Sequence, residues 1–403
     1  TATTRFLIMA TGALSAPRVP DFPGLDGFGG RWHHTANWPA EPIDFTGRRV
    51  AVIGTGSSGV QVIPQIAARA ERLYVMQRTA GFVVPAYNRD LTADEVRAVK
   101  DDYPAYRDRA RNTFLGVHGL PAGPSALAVP PEERTAVYEK AWRAGGPILG
   151  TYGDLLVDQA ANDTLADFLR SKIAELVKDE ETARLLIPRG FPVGAKRLVI
   201  GTEYYPTFNL GTVELVDVRS APIEEVTATG LRTAAAEYEV DDIVFATGFD
   251  ALTGPLLAID IRGTGGRALA DAWAAGPATY LGLAVSGFPN LFPIAGPGTT
   301  AALSNVPRTT ELNVEWVTEL IRHMREHGHT TAEADPGEQR TWTAHVNEVA
   351  DRTLFPRADS WYVGANVPGK PRVFMPYAGG LPEYRRICGE VAADGYRGFR
   401  FTP

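Results

Sequence analysis

Short apolar runs that end in glycine turns alternate along this chain with longer stretches of helical spacing, the pattern of an α/β protein. Arg5-Phe6-Leu7-Ile8-Met9-Ala10 has the composition of a buried strand and closes in Ala10-Thr11-Gly12. Residues 14–39 are rich in Pro and Gly and read as a linker. Arg48–Ile53 is the next strand and runs directly into Gly54-Thr55-Gly56-Ser57-Ser58-Gly59. The helix that follows places Val60, Ile63, Ile66, Ala67 and Ala70 on one face, and Pro64 should kink it or end its first turn. Leu73–Met76 forms a second strand, closing in Gln77-Arg78-Thr79.

From Val84 to about Pro192 the character changes. Helical patterns at Glu132–Arg143 and Thr164–Val177 are separated by Pro/Gly-rich spacers such as 119–131, and their apolar positions suit a core. The run Phe191–Ile200 is expected to return to the sheet, and strand-like runs follow at Val213–Val216, Leu231–Tyr238, Asp241–Ala246 and Asn290–Ala295. A helix is expected from about Thr310 to Met324, after a glycine loop at Gly296-Pro297-Gly298 that would suit an electron-rich cofactor edge. Ser360–Arg372 holds too many Gly and Pro for regular structure and reads as a long loop.

Length and composition narrow the classes. A chain of 403 residues can build two or three domains. A net charge of -7 without a basic run argues against a nucleic-acid partner. No apolar run reaches the length of a membrane span. One cysteine, Cys388, precludes an internal disulfide and fits a reducing cytoplasm. No metal site is expected.

The chemistry sits at the strand ends. In G-x-G-x-x-G, Gly54 permits the tight turn, Gly56 lets the backbone approach a pyrophosphate, and Gly59 lets the helix sit close to the sheet. Thr55, Ser57, Ser58 and Gln61 complete the expected dinucleotide-binding set. Arg78 and Thr79 stand where an NAD site would carry an acid for the ribose 2′-hydroxyl, so a 2′-phosphate, and thus NADPH, is expected. Lys196-Arg197, after a small-residue turn and before a strand, forms a second candidate anion site.

One further stretch names a family. Phe28, Gly30, His34, Trp38 and Pro39 spell F-x-G-x-x-x-H-x-x-x-W-P just ahead of the glycine turn. Together they resemble the fingerprint of the type I Baeyer–Villiger monooxygenases, flavoproteins that use NADPH and O2 to convert ketones to esters or lactones. The resemblance implies a two-dinucleotide-binding-domain flavoprotein: a Rossmann-like NADPH domain with a helical insertion, and the C-terminal part of an FAD domain. Residues 1–13 would end a first FAD-domain segment, with 14–40 a linker that couples domain movement to catalysis. Residues 41–83 and 193–240 would form the NADPH domain, 84–192 its insertion, and 241–403 the second FAD-domain segment. By the same resemblance Lys196 reaches the NADPH 2′-phosphate with Arg78 and Thr79. Arg197 is the catalytic residue, lying against flavin and nicotinamide, where a fixed guanidinium stabilises an anionic flavin C4a-peroxide and the oxyanion of its ketone adduct. Ala246, Thr247 and Gly248 would be a second crossing motif beside the cofactor. Leu303, Ser304, Asn305 and Val306 belong to a loop that shapes the substrate site, and Trp361 closes over bound NADP. The family's FAD glycine turn and the Asp that positions the Arg are expected upstream of residue 1, so the chain alone is expected to be inactive. Trp38-Pro39 favours this branch over flavin N- or S-oxygenating enzymes; a non-catalytic NADPH-binding module is the other alternative.

Overall fold

The apolar run at Arg49–Ile53 becomes the middle strand of a parallel sheet in a computed structural model that describes residues 2–118, 123–146 and 148–403. Contacts divide the chain into two units. The first comprises Thr1–Ala16, Asp90–Gly119 and Asp250–Pro403, and the second Pro17–Arg89 and Leu120–Phe249.

In the second unit, five parallel strands are found among the described residues. They are β1 (Arg31–His34), β2 (Arg49–Ile53), β3 (Arg72–Gln77), β4 (Val213–Asp217) and β5 (Asp242–Phe245), in the order β1-β5-β2-β3-β4. Val50, Ala51 and Val52 are wholly buried, as a parallel strand covered on both faces requires. Helix α1 (Ser57–Ala67) connects β2 to β3 and lays Val60, Ile63 and Ile66 on the sheet. The helix does not end at Pro64 but runs on to Ala67, its buried face outweighing the one backbone hydrogen bond that a proline removes.

Two further expectations need correction. Residues 14–39 are not all linker, because Arg31–His34 pairs in register with Asp242–Phe245 as an edge strand. Charge secures that edge: wholly buried Asp242 accepts from Arg31 Nε at 2.7 Å and also pairs with Arg48. The run Leu231–Tyr238 is a hairpin rather than one strand. Gly230–Thr233 pairs antiparallel with Glu237–Glu239, and the Thr233 hydroxyl accepts from the Ala235 and Ala236 amides in the turn.

The insertion is divided between the units. Helices Pro131–Ala144 and Gln159–Leu176 bury Tyr138, Trp142, Leu165 and Leu169 in the second unit; in the spacer before them, residues 119–122 lie outside the described residues. Helices Ala93–Asp101 and Tyr103–Arg111 belong to the first unit, where Arg107 reaches Glu311 at 2.6 Å. That unit's core gathers Phe292, Trp316, Leu320, Met324, Trp342 and Tyr384. Its short strand Leu7–Met9 pairs in parallel with Leu291–Pro293. Helix α2 spans Val306–Glu326, starting earlier than the apolar spacing suggested because Asn305 caps it and Pro307 fits its first turn. Among the described residues, no helix is long and apolar enough to cross a membrane.

Candidate active site

The glycine turn has the geometry of an anion cradle. Gly54 has φ 109°, and a Cβ there would lie 2.6 Å from the Ala246 carbonyl oxygen. A Cβ on Gly59 would lie 2.1 Å from the Gly54 carbonyl oxygen, so any side chain would force α1 off the turn. Gly56, by contrast, faces open space and caps α1 without a side-chain hydrogen bond. The first amides of α1, on Ser57, Ser58 and Gly59, therefore have no capping side chain, and they carry the positive end of the helix dipole. Thr55 Oγ1 donates to the Thr79 carbonyl at 3.3 Å, joining the turn to the loop after β3. Arg78 in that loop and Gln61 on α1 are exposed, and Thr79 is half-buried.

The fingerprint residues lie at the sheet edge. Phe28 packs with the core under β5, and Gly30 passes so close that a Cβ would lie 2.4 Å from the Asp241 carbonyl oxygen. His34 ends β1 and is 1% exposed. Its Nδ1 accepts from the Ala36 amide at 3.1 Å, which places the proton on Nε2. Nε2 in turn donates to Thr247 Oγ1 at 3.3 Å, and Thr247 donates to the Arg18 carbonyl at 2.5 Å. Burial lowers the His34 pKa, so the neutral ring that this pattern requires is also the favoured one. His34 thus ties the segment at Arg18 to the Ala246-Thr247-Gly248 turn, and the two run antiparallel through a Pro17–Phe249 bridge. Trp38 is 39% exposed and leans on His33 and Phe45, while Pro39 is exposed.

Lys196 and Arg197 follow a buried turn at Pro192–Ala195. The strand after them, Val199–Gly201, pairs with Val83–Pro85 in a separate ladder and does not rejoin the large sheet, as had been expected. The Lys196 ammonium lies 4.9 Å from the Phe191 ring centre; Arg197 is exposed. One residue here went unmarked in the sequence. Asn162, wholly buried in helix Gln159–Leu176, donates from Nδ2 to the Val193 carbonyl (2.9 Å) and the Leu155 carbonyl (2.7 Å). Its Oδ1 accepts from the Val193 amide at 2.8 Å. A polar residue on the apolar face of a helix was the available signal.

The remaining candidates belong to the first unit. The Ser304 hydroxyl is held by the Thr300 carbonyl (3.0 Å) and the Thr309 hydroxyl (2.8 Å), and Asn305 is engaged as the cap of α2. Leu303 is half-buried; Val306 is exposed and is the first residue of the helix, not part of a loop. The start of α2 is therefore already capped, unlike that of α1. Trp361 opens a single 3-10 turn, Trp361–Val363, above buried Tyr362. The loop beyond it is fastened where Lys370 Nζ meets Asp250 Oδ1 at 2.5 Å and the Ala251 carbonyl at 2.9 Å. Cys388 is 1% exposed, and burial pushes its thiol up to about 12, so it acts as a small apolar side chain. Among the described residues, no group of three or more His, Cys, Asp or Glu could hold a metal ion.

Comparison with known proteins adds to this geometry. Residues 4–92 match the family model for flavin-binding monooxygenase-like proteins. The chain is 42% identical over 99% of its length to a 2-oxo-Δ3-4,5,5-trimethylcyclopentenylacetyl-CoA monooxygenase from Pseudomonas putida, covering 75% of that protein. It is 40% identical over 98% of its length to a cyclohexanone 1,2-monooxygenase from Acinetobacter sp, covering 73%. It is also 41% identical over 98% of its length to phenazine N-monooxygenase PhzNO1 from Lysobacter antibioticus, again covering 73%. Among solved structures, OTEMO in complex with FAD and NADP superposes with a TM-score of 0.95 at 41% identity, over 99% of this chain and 75% of that one.

Proposed function

The chain belongs to the Baeyer–Villiger monooxygenase family, and on that premise we propose that the parent protein uses NADPH, FAD and O2 to convert a small-molecule ketone to an ester or lactone. The observation that carries the coenzyme half of this reading is the uncapped start of α1 behind Gly54 and Gly56, with Arg78 and Thr79 at the end of the next strand. That cradle fits a dinucleotide pyrophosphate: the amides of Ser57, Ser58 and Gly59 at the start of α1 have no capping side chain, and the space beside Gly56 is open where a Cβ would stand. Arg78, Thr79 and Lys196 would hold the 2′-phosphate, Gln61 would lie beside the cradle, and Trp361 would add a further contact to the nucleotide.

FAD, when bound, supplies the activation of O2. Ala246, Thr247 and Gly248 are its proposed neighbours in this chain; Gly248, with φ 81°, leaves open space where a Cβ would stand. The His34–Thr247–Arg18 relay keeps that turn in place without offering its own proton to the reaction. Arg197 would hold a positive charge beside the oxygen that becomes anionic as the ketone is attacked. A guanidinium keeps that charge through the reaction and does not quench the anion by giving up a proton. Leu303, Ser304, Asn305 and Val306 would shape the ketone's surroundings, with the Ser304 hydroxyl and the Asn305 Oδ1 already engaged internally.

An N-oxygenating activity is the second reading, favoured by the 41% identity to the phenazine enzyme. Supplying the FAD-loaded protein with NADPH and either a cyclic ketone or a tertiary amine separates the two. Ester or lactone is expected from the ketone and little product from the amine. N-oxide without ester would reverse the assignment.

A further inference from the structure

We infer that Asn162 is a positioning residue for coenzyme selection, acting through Lys196; this rests on the 2′-phosphate reading of Lys196. Asn162 is wholly buried in the helix Gln159–Leu176, and nothing about the fold of that helix calls for an amide there, since Ala161, Leu165, Ala166 and Leu169 around it are apolar. A buried polar side chain costs stability unless its donors and acceptor are met. Here they are met by backbone outside its own helix turn. The amide grips both the N–H and the C=O of Val193 at 2.8 and 2.9 Å, and its second proton goes to the Leu155 carbonyl at 2.7 Å.

Both ends of one peptide residue are thereby fixed from a single side chain. Val193 lies three residues before Lys196, and the intervening turn is closed by the Ala195 amide donating to the Pro192 carbonyl at 3.2 Å. Val193 and Lys196 also face each other as a bridge pair. The Lys196 backbone is thus set by the turn that Asn162 holds, and its ammonium lies against the Phe191 ring at the turn's other end. A lysine is a flexible point charge, so its aim depends on where its backbone is held. Asn162 supplies that hold, although it lies 34 positions away in the sequence and touches no coenzyme in this reading.

The test is equilibrium titration of the full protein with NADP+ and with NAD+, reading the ratio of the two affinities rather than activity. Asn162→Ala is expected to lower the NADP+/NAD+ ratio about fivefold to tenfold, approaching the effect of Lys196→Ala, as expected for the weakening of one charge-assisted contact. Asn162→Asp keeps the shape and the acceptor for the Val193 amide but loses both donated bonds. With a carboxylate oxygen then facing the Val193 and Leu155 carbonyls, it should shift the ratio in the same direction at least as far, and thermal unfolding of both variants identifies a lost fold. In an Lys196→Ala background, Asn162→Ala should change the ratio by less than about twofold, because the two act on one contact. A purely structural Asn162 would lower thermal stability and leave the ratio where it was, and that result overturns the inference. If Lys196→Ala itself leaves the ratio unchanged, both the 2′-phosphate reading and the inference fall; if only the Asn162 variants leave it unchanged, the inference alone falls.

Discussion

Replacing Arg197 with lysine or alanine lowers ketone oxygenation by about 10²–10³-fold, the range for loss of a fixed charge-stabilising donor in an active site, while NADPH affinity stays within about tenfold of the parent. The reasoning starts from the neighbouring residues. Lys196 and Arg197 leave the same buried turn, so the chain presents two cations side by side, yet the chemistry asks different things of them. A phosphate dianion is satisfied by a point charge that is free to adjust. An oxyanion that develops only as the ketone is attacked requires a charge already in place, because reorganisation during the reaction would cancel the benefit. Lysine at position 197 keeps the sign but loses the planar fork and can release a proton, so it should fail nearly as badly as alanine. Single-turnover measurement of product alongside coenzyme titration checks both parts. Equal falls in oxygenation and in NADPH affinity would place Arg197 in coenzyme binding instead.

The second large effect concerns the coenzyme. Arg78→Ala should lower the preference for NADPH over NADH, taken as the ratio of kcat/KM values, by about 10- to 100-fold, the equivalent of one charge-assisted hydrogen bond at 1.5–3 kcal/mol. Most of the change should fall on the NADPH side. Arg78 is exposed at the end of β3, and Thr79 beside it is joined to the glycine turn through Thr55. The cradle and the 2′-phosphate site therefore move as one piece, and removing the cation should leave pyrophosphate binding intact. The NADPH advantage should also weaken as salt is raised, since an exposed charge contact is screened. An unchanged ratio in Arg78→Ala would mean that the 2′-phosphate is held elsewhere.

What the sequence revealed follows from where the physics is local. The β2–turn–α1 unit was legible because a buried strand, a G-x-G-x-x-G turn and a 3.6-residue apolar period each announce themselves within a few residues. The edge strand Arg31–His34 was hidden. Its pairing with β5 joins residues about 210 positions apart, and the Pro and Gly around it resemble a linker. Gly30 stood out in the fingerprint, but its physical reason did not, because a side chain there would meet the Asp241 carbonyl, far along the chain, as well as the Phe28 ring. The hairpin at Gly230–Glu239 was lost because alanines continue the apolar run through the turn. Among the candidate site residues, Ser304 and Asn305 were recognisable as a loop before a helix, but only the fold shows that the Ser304 hydroxyl and the Asn305 Oδ1 are occupied. Asn162 could be noticed as a polar residue among apolar ones, but its partner Val193 lies 31 positions away.

The central claim, that an oxygen atom from O2 is inserted beside a ketone carbonyl, is tested most directly by isotope. The FAD-loaded protein is supplied with NADPH, a cyclic ketone and 18O2, and the lactone is analysed by mass spectrometry with fragmentation. The account predicts a single 18O atom, located in the ring oxygen and absent from the carbonyl. NADPH oxidation with no labelled lactone, or label found only in an N- or S-oxide from a competing amine or sulfide, would contradict it.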